Sequence, residues 1–221
     1  MTPTIKHRRL LALTSLAITL CAAPVASAHD PHKDRGGAVV VPAKDKWAGE
    51  SWAQIYSLPI SENPFFGNGN PCLTLANKVI QEIGGHCTIE QGTTFTLGGG
   101  SAWSSAEDPF PQTRREQLAL ATAQDREIVV GLTISVDGGD PVEIRTPRFE
   151  LFSPQRTVLL PADNGLGVPG PQIVTLSAHG WSAAIRRLSV GDHMIVADKL
   201  LATSEHSIDP HPLTVVPRHD G

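Results

Sequence analysis

Cysteine is scarce in this chain, which limits its redox and metal chemistry. Of three cysteines, Cys21 lies in an N-terminal apolar run, so Cys72 and Cys87 remain for the body of the chain. These two are fifteen positions apart and lack the C-x-x-C spacing of zinc and redox sites. In an exported chain we expect them to form one disulfide, which stabilises the fold by about 3 kcal/mol through closure of the loop. A pair of metal thiolates or a reactive thiol is the competing interpretation.

Long apolar runs and clusters of basic residues are also missing. No later stretch reaches the eighteen uninterrupted apolar residues of a membrane-spanning helix, so we expect no membrane span. The formal net charge is −4, and it becomes −7 without residues 1–28, which carry three basic and no acidic side chains. A weakly acidic chain without a basic run argues against nucleic acid and anionic membranes as partners.

The motifs of common catalytic and metal sites are absent as well. The chain has no G-x-S-x-G nucleophile elbow, no H-E-x-x-H zinc motif and no D-x-D-x-D-G calcium loop. We therefore expect no resident cofactor.

The N-terminus has the pattern of a secretory signal peptide. Basic residues precede a short apolar core, and small residues at Ala26 and Ala28 fit signal-peptidase cleavage. Both ends of the remaining chain are rich in proline, histidine and charge, a composition that favours disorder. We predict a signal peptide over 1–28, a flexible tail over 29–46 in which the apolar run Val39–Val41 could add an edge strand, a β-sandwich domain over 47–201 and a flexible C-terminal tail over 202–221. The predicted location is secreted.

Short alternating strands dominate the predicted domain. In the clearest one, 128–136, every second residue from Ile128 is apolar, and Asp137–Asp140 (DGGD) predicts a hairpin turn. Thr113 and Glu116 form a capping box, which predicts a helix of about ten residues. A shorter helix is predicted over 50–58. The chain is therefore predicted to be mainly β: an antiparallel β-sandwich, jelly-roll-like, with one or two short helices.

The segment 171–197 is predicted to form three short strands. Ala178–Gly180 and Ser189–Asp192 contain glycine and interrupt the alternation, so both are expected to be turns. His179 then lies in a turn beside Trp181.

Several short segments recur in the order seen in one group of exported proteins. They are Trp47 with Trp52, Asn63-Pro64, Cys87–Thr93, Glu107–Phe110, Gly180-Trp181 and Leu188–His193. In this order the chain resembles a set of uncharacterised exported bacterial β-sandwich proteins, over about 47–198. The resemblance implies the fold and export, and it implies no activity, because none is assigned to that set.

The candidate catalytic residues are Glu107, Asp108 and Arg114. Glu107 and Asp108 are adjacent carboxylates in a proline-rich loop, and Arg114 follows in the predicted helix. Glycoside hydrolysis needs two carboxylates across a cleft, so an enzyme would place these residues in a concave pocket. The alternative is a solvated pair beside a helix.

The candidate ligand-binding residues are Trp103 and Trp181, which with Tyr56 could form a stacking platform for a sugar. The expected partner is then a carbohydrate or another extracellular ligand. The alternative places the tryptophans in the core, with Trp103 as the best exception because its loop is rich in glycine and serine.

The candidate metal ligands are His86, His179 and His193. Histidine is the commonest metal ligand, and these three would form a site if the fold brought them together. Their spacing matches no metal motif, and the favoured interpretation of His193 is structural, with one ring nitrogen bonded to nearby backbone.

These observations favour an extracellular binding module or a structural protein of the cell surface. The alternative is an extracellular hydrolase or lyase whose carboxylate and histidine site is built from loops, with or without a metal. A sandwich fold supports all of these functions and does not decide among them.

Overall fold

The computed structural model describes residues 37–66, 69–70, 72, 79–83 and 86–218. The predicted signal peptide lies outside the described residues. Within them, the chain forms two β-sheets and two α-helices.

The first sheet has five strands, centred on a single long strand. Its members are β1 (Val39–Pro42), β4 (Phe95–Ser104), β7 (Glu150–Phe152), β8 (Arg156–Leu160) and β9 (Gln172–Arg186). β4 pairs along one edge of β9, while β8, β7 and β1 pair with it at successive positions. All of these pairings are antiparallel.

The second sheet has six strands in the order β2-β3-β11-β10-β5-β6. They are β2 (Val79–Ile83), β3 (His86–Glu90), β5 (Val129–Val136), β6 (Val142–Glu143), β10 (Gly191–Leu201) and β11 (His206–Val216). Only the β3–β11 pair is parallel among the described strands.

The two sheets pack face to face. One cluster of buried apolar side chains joins Phe95 and Ile185 of the first sheet to Leu132, Ile195 and Leu213 of the second. Both cysteines belong to this cluster, and they form the predicted disulfide, with their Cα atoms 5.8 Å apart. The prediction of a mainly antiparallel β-sandwich is confirmed, and the finer expectation of jelly-roll connections stays a prediction.

The two helices pack on opposite faces of the first sheet: α1 (Asp45–Tyr56) covers one face, and α2 (Arg114–Ile128) lies on the other face, beside the second sheet. Helix α1 packs on β8 and β9 through a smaller apolar cluster that includes Ala48 and Leu176. Helix α2 packs on β4 and β9. The capping box is confirmed, because the Thr113 side chain accepts from the Glu116 N–H and the Glu116 side chain accepts from the Thr113 N–H.

The predicted turn at Ala178–Gly180 is wrong. Residues 172–186 form one continuous strand, because β4 and β7 hydrogen-bond to β9 on both sides of this stretch. Gly180 lets the backbones of β9 and β4 lie close together, because a Cβ at this position would be 2.4 Å from the Gly99 carbonyl oxygen.

The predicted tails are also wrong where the structure describes them. Residues 206–216, expected to be loose, form β11, which pairs with β10 and β3 and buries Leu213 and Val215. At the other end, Val39–Pro42 forms the edge strand given as the alternative for this run, paired with β9, and α1 already begins at Asp45 inside the predicted tail. Composition suggested disorder, but long-range pairing orders both segments.

The predicted phase of strand 128–136 is correct only in its second half. Leu132 and Ile134 are buried as expected, whereas Ile128 and Val130 are exposed and Val129 is buried. Ile128 is the last residue of α2, and the pairing of β5 with β10 shifts at Leu200/Leu201, which reverses the face on which Val129 and Val130 lie. The predicted turn is confirmed, with positive φ at Asp137 and Gly138.

Candidate functional site

One face of the β4–β9 pair changes from apolar to polar where α2 replaces the second sheet. Ser101 pairs with His179 and Trp103 pairs with Ser177, one register step beyond the apolar residues. The stripe of α2 that faces them is polar too, since Gln117, Ala121 and Asp125 are its buried residues. The result is a buried polar layer between helix and sheet.

His179 is at the centre of this polar layer. Its Nδ1 lies 2.7 Å from Oδ2 of Asp125 on α2, and its Nε2 lies 3.0 Å from Oε1 of Glu150 on β7. The same Glu150 oxygen accepts from Arg126 at 3.0 Å. The His179 side chain is fully buried, whereas Glu150 keeps 15% of its side-chain surface exposed.

His179 links two carboxylates, and Arg126 adds a guanidinium to the same network. Burial raises the pKa of Glu150, but hydrogen bonds from His179 and Arg126 outweigh it and hold that pKa below its usual value.

The position of His179 rules out direct contact with a ligand. No part of its side chain is accessible, and both ring nitrogens are already hydrogen-bonded. Phe152 and Trp181 pack against the ring at centroid distances of 5.0 and 5.2 Å. His179 therefore holds α2 and β7 on β9. The sequence predicts a turn at His179 and does not indicate this role.

The two candidate tryptophans do not form a sugar-binding platform. Trp181 is 4% exposed, with the ring of His179 on its edge and the Arg145 guanidinium 5.0 Å from its ring centroid. Trp103 is half-buried, and its Nε1 donates to Gln124 on α2 at 3.1 Å. Trp181 therefore belongs to the apolar core between the sheets, and Trp103 belongs to the packing of α2.

The three candidate metal-ligating histidines are not brought together. His86 bonds through Nε2 to Thr214 Oγ1 at 2.8 Å, and His193 bonds through Nδ1 to Asp137 at 2.7 Å, both on the second sheet. His179 lies on the first sheet. Within the described ranges, no group of three or more His, Cys, Asp or Glu residues is placed to hold a metal ion.

Ser189, His193 and Asp137 form a hydrogen-bonded chain with the composition of a catalytic triad. The His193 Nε2 lies 3.4 Å from Ser189 Oγ but only 2.9 Å from the Ser189 carbonyl oxygen. A carbonyl only accepts, so Nε2 carries a hydrogen and cannot serve as the base for that serine. The chain instead joins the β9–β10 turn to the turn after β5.

The candidate catalytic residues separate in the structure. Arg114 donates from Nε to the Ser153 carbonyl at 2.8 Å and from a terminal nitrogen to the Phe152 carbonyl at 3.0 Å. Arg114 therefore anchors α2 to the chain after β7. Asp108 is exposed, and Glu107 is half-buried.

Glu107 is the one candidate whose protonation is strongly perturbed. Its Oε2 accepts from the Ser104 N–H at 2.7 Å, yet burial outweighs this bond and raises its pKa to about 7. Burial also raises the pKa of Tyr56, and the charge of Glu107 raises it further, so the two side chains lie within electrostatic range. The Tyr56 hydroxyl points at the Ala102 carbonyl, 3.4 Å away.

An aromatic surface adjoins Glu107, and we define it by Trp52, Tyr56 and Phe65. The Trp52 ring stacks on Phe65 at 5.2 Å and 18°, and it meets Tyr56 edge-on at 5.7 Å. Phe65 is 55% exposed. Trp52 and Tyr56 are four positions apart on one helix, and this spacing is the signal in the sequence that places them side by side. Nothing in the sequence indicates that Phe65 contacts Trp52.

Comparisons with known proteins add no relative. No protein-family model matches the chain, and neither the curated proteins nor the solved structures searched contain a significant match. No helix among the described residues is long and apolar enough to cross a membrane.

Proposed function

We propose that this protein is a secreted binding module that recognises a carbohydrate through the aromatic surface of Trp52, Tyr56 and Phe65. The signal-peptide pattern and the Cys72–Cys87 disulfide support an extracellular location. The observation that carries the proposal is a stacked aromatic pair with one ring, Phe65, more than half exposed. Apolar ring faces beside a few polar groups are the usual composition of a sugar-binding surface.

Glu107 supplies the polar group beside this surface. Below about pH 7 its carboxyl is neutral and can donate a hydrogen bond to a sugar oxygen. A bound ligand excludes more water from the carboxyl and so disfavours its charged form further. Binding is therefore stronger on the acid side of pH 7 and weakens as the pH rises through that value.

The proposal is tested by measuring binding of the purified protein to a panel of soluble polysaccharides. Phe65→Ala should weaken binding about tenfold, the effect of losing one aromatic contact of about 1.4 kcal/mol. Ile208→Ala is the matched control, because Ile208 is 61% exposed on the other sheet. Equal binding by the Phe65 variant, or no binding to any member of the panel, would contradict the proposal.

A hydrolase or lyase is the second candidate function, favoured by the pKa of Glu107. A half-buried carboxyl that titrates near neutral pH is suited to general acid catalysis. Release of reducing ends from the panel, measured with and without a chelator, distinguishes the two functions. In an enzyme, Glu107→Gln abolishes turnover and retains binding. In a binding module, no ends are released, and the substitution only removes the pH dependence of binding.

A further inference from the structure

A concave surface lies near the opposite end of β9 from the aromatic surface. Phe95 begins β4 and pairs with Ile185, so the turn before β4 meets the turn after β9. Between them is an open cavity of about 480 Å³, lined by Gln91, Gly92 and Thr94 on one side and by Arg186–Ser189 on the other. This volume is in the range of small-molecule sites.

The chain bends where both arginines line this cavity. Consecutive residues of a strand point to opposite faces, so Arg186 and Arg187 would not normally share one surface. Arg187 has φ of 60°, a left-handed conformation that a non-glycine residue adopts only at a cost. That conformation follows the last residue of β9, Arg186, and interrupts the strand alternation at the cavity.

Two arginines line this cavity in a protein whose formal net charge is −4. Among the described residues, the side chains of Arg186 and Arg187 form no hydrogen bond or ion pair, whereas Arg126 and Arg156 each pair with a glutamate. None of the described lining residues is an aspartate or a glutamate, and the side chains of Gln91, Thr94 and Ser189 are all able to donate hydrogen bonds.

We propose that this cavity is a binding site for an oxyanion, the carboxylate, sulfate or phosphate group of a small ligand or of one unit of an anionic polymer. Two guanidinium groups are the residues of choice for such groups, because each presents a fork of donors to a pair of oxygens. The site is independent of the aromatic surface. From Ala178, near that surface, to Arg186 the chain runs about 26 Å along the strand.

The test is titration calorimetry of the purified protein with acetate, inorganic phosphate and sulfate at constant ionic strength, with uncharged acetamide as the blank. Saturable binding of at least one anion and none of acetamide is expected. Acetate alone would identify a carboxylate as the ligand group, and binding of all three would identify a general oxyanion site. No saturable binding of any anion overturns the proposal.

Arg187→Gly is the informative variant, because glycine removes the charge while accepting the positive φ without strain. It should fold at least as stably as the wild type and bind at least tenfold more weakly. Arg115→Gln is the control, since Arg115 is an exposed arginine elsewhere, on α2. Unchanged affinity in Arg187→Gly would show that Arg187 is only a turn residue and would overturn the site.

Discussion

The same pair of strands, β4 and β9, forms two different interiors along one face. At one end, Phe95, Trp181 and Ile185 pack against the second sheet in a cluster of apolar side chains. At the other end, Ser101 and His179 pack against α2 through hydrogen bonds. We call these the apolar half and the polar half of the face.

The difference shows that the cover of a strand decides which side chains it can bury. A sheet of valine, isoleucine and leucine offers no hydrogen-bond partner, so only apolar residues are stable beneath it. The α2 stripe of Gln117 and Asp125 offers donors and acceptors at matching positions. Gln117 alone bonds to the Pro111 and Thr175 carbonyls and to the Ser177 hydroxyl.

The two halves also differ in what holds them together. The apolar half gains free energy from removing surface from water, whatever the detailed geometry. The polar half recovers in hydrogen bonds what it loses in desolvation, and a buried ionic network of this kind is weak evidence for net stability. It does, however, fix one position of α2 on the sheet, since any other position leaves Asp125 without His179.

The largest expected effect is a truncation in the apolar half. Phe95→Ala removes a fully buried ring and should lower the free energy of unfolding by about 3–5 kcal/mol, measured by urea denaturation. Phe110→Ala is the matched control, because Phe110 is 59% exposed and its loss should change stability by no more than about 0.5 kcal/mol. Equal effects would refute the assignment of the core to the space between the sheets.

A smaller effect, with a different signature, is expected in the polar half. His179→Leu leaves the buried carboxylate of Asp125 unpaired and should cost about 3 kcal/mol. Adding Asp125→Leu removes that unpaired charge, so the double variant should be more stable than His179→Leu alone. If the two substitutions instead destabilise additively, the network is not coupled as its geometry indicates.

The smallest expected effect is the pH dependence of the polar half. The pKa of Glu150 is held down in the folded protein, so its contribution to stability is present above about pH 4.5 and is lost as the pH falls through the lowered pKa. The urea midpoint should therefore drop on acidification, and it should drop less in Glu150→Gln. Phe95→Ala, by contrast, should lower the urea midpoint by the same amount above pH 4.5 and after acidification.

Features governed by neighbouring residues could be predicted from the sequence. The Thr113–Glu116 capping box and the Asp137-Gly138 turn depend on local backbone geometry, and both were found where predicted. The Cys72–Cys87 pairing followed because the predicted mature chain offers one pair only. The strand pattern gave the fold class for the same reason, since alternation is a local property.

Features governed by distant partners could not be predicted. His179 was expected in a turn because it lies between Ala178 and Gly180. Its actual partners, Asp125 on α2 and Glu150 on β7, are 54 and 29 positions earlier in the chain, so the sequence near His179 does not reveal them. The aromatic surface depends on Phe65 folding back onto Trp52, and the oxyanion cavity depends on two turns that only strand pairing brings together.

The sequence by itself thus determined the class of fold, the helix start, the tight turn and the disulfide, and it carries the signal-peptide pattern, because each of these depends on composition or local geometry. Tertiary structure decided the order of the C-terminal strand, the inward direction of the polar residues on β9 and the positions of both proposed binding surfaces. Those depend on which segments pair across the fold, since a polar residue is buried only where another segment supplies its hydrogen-bond partner.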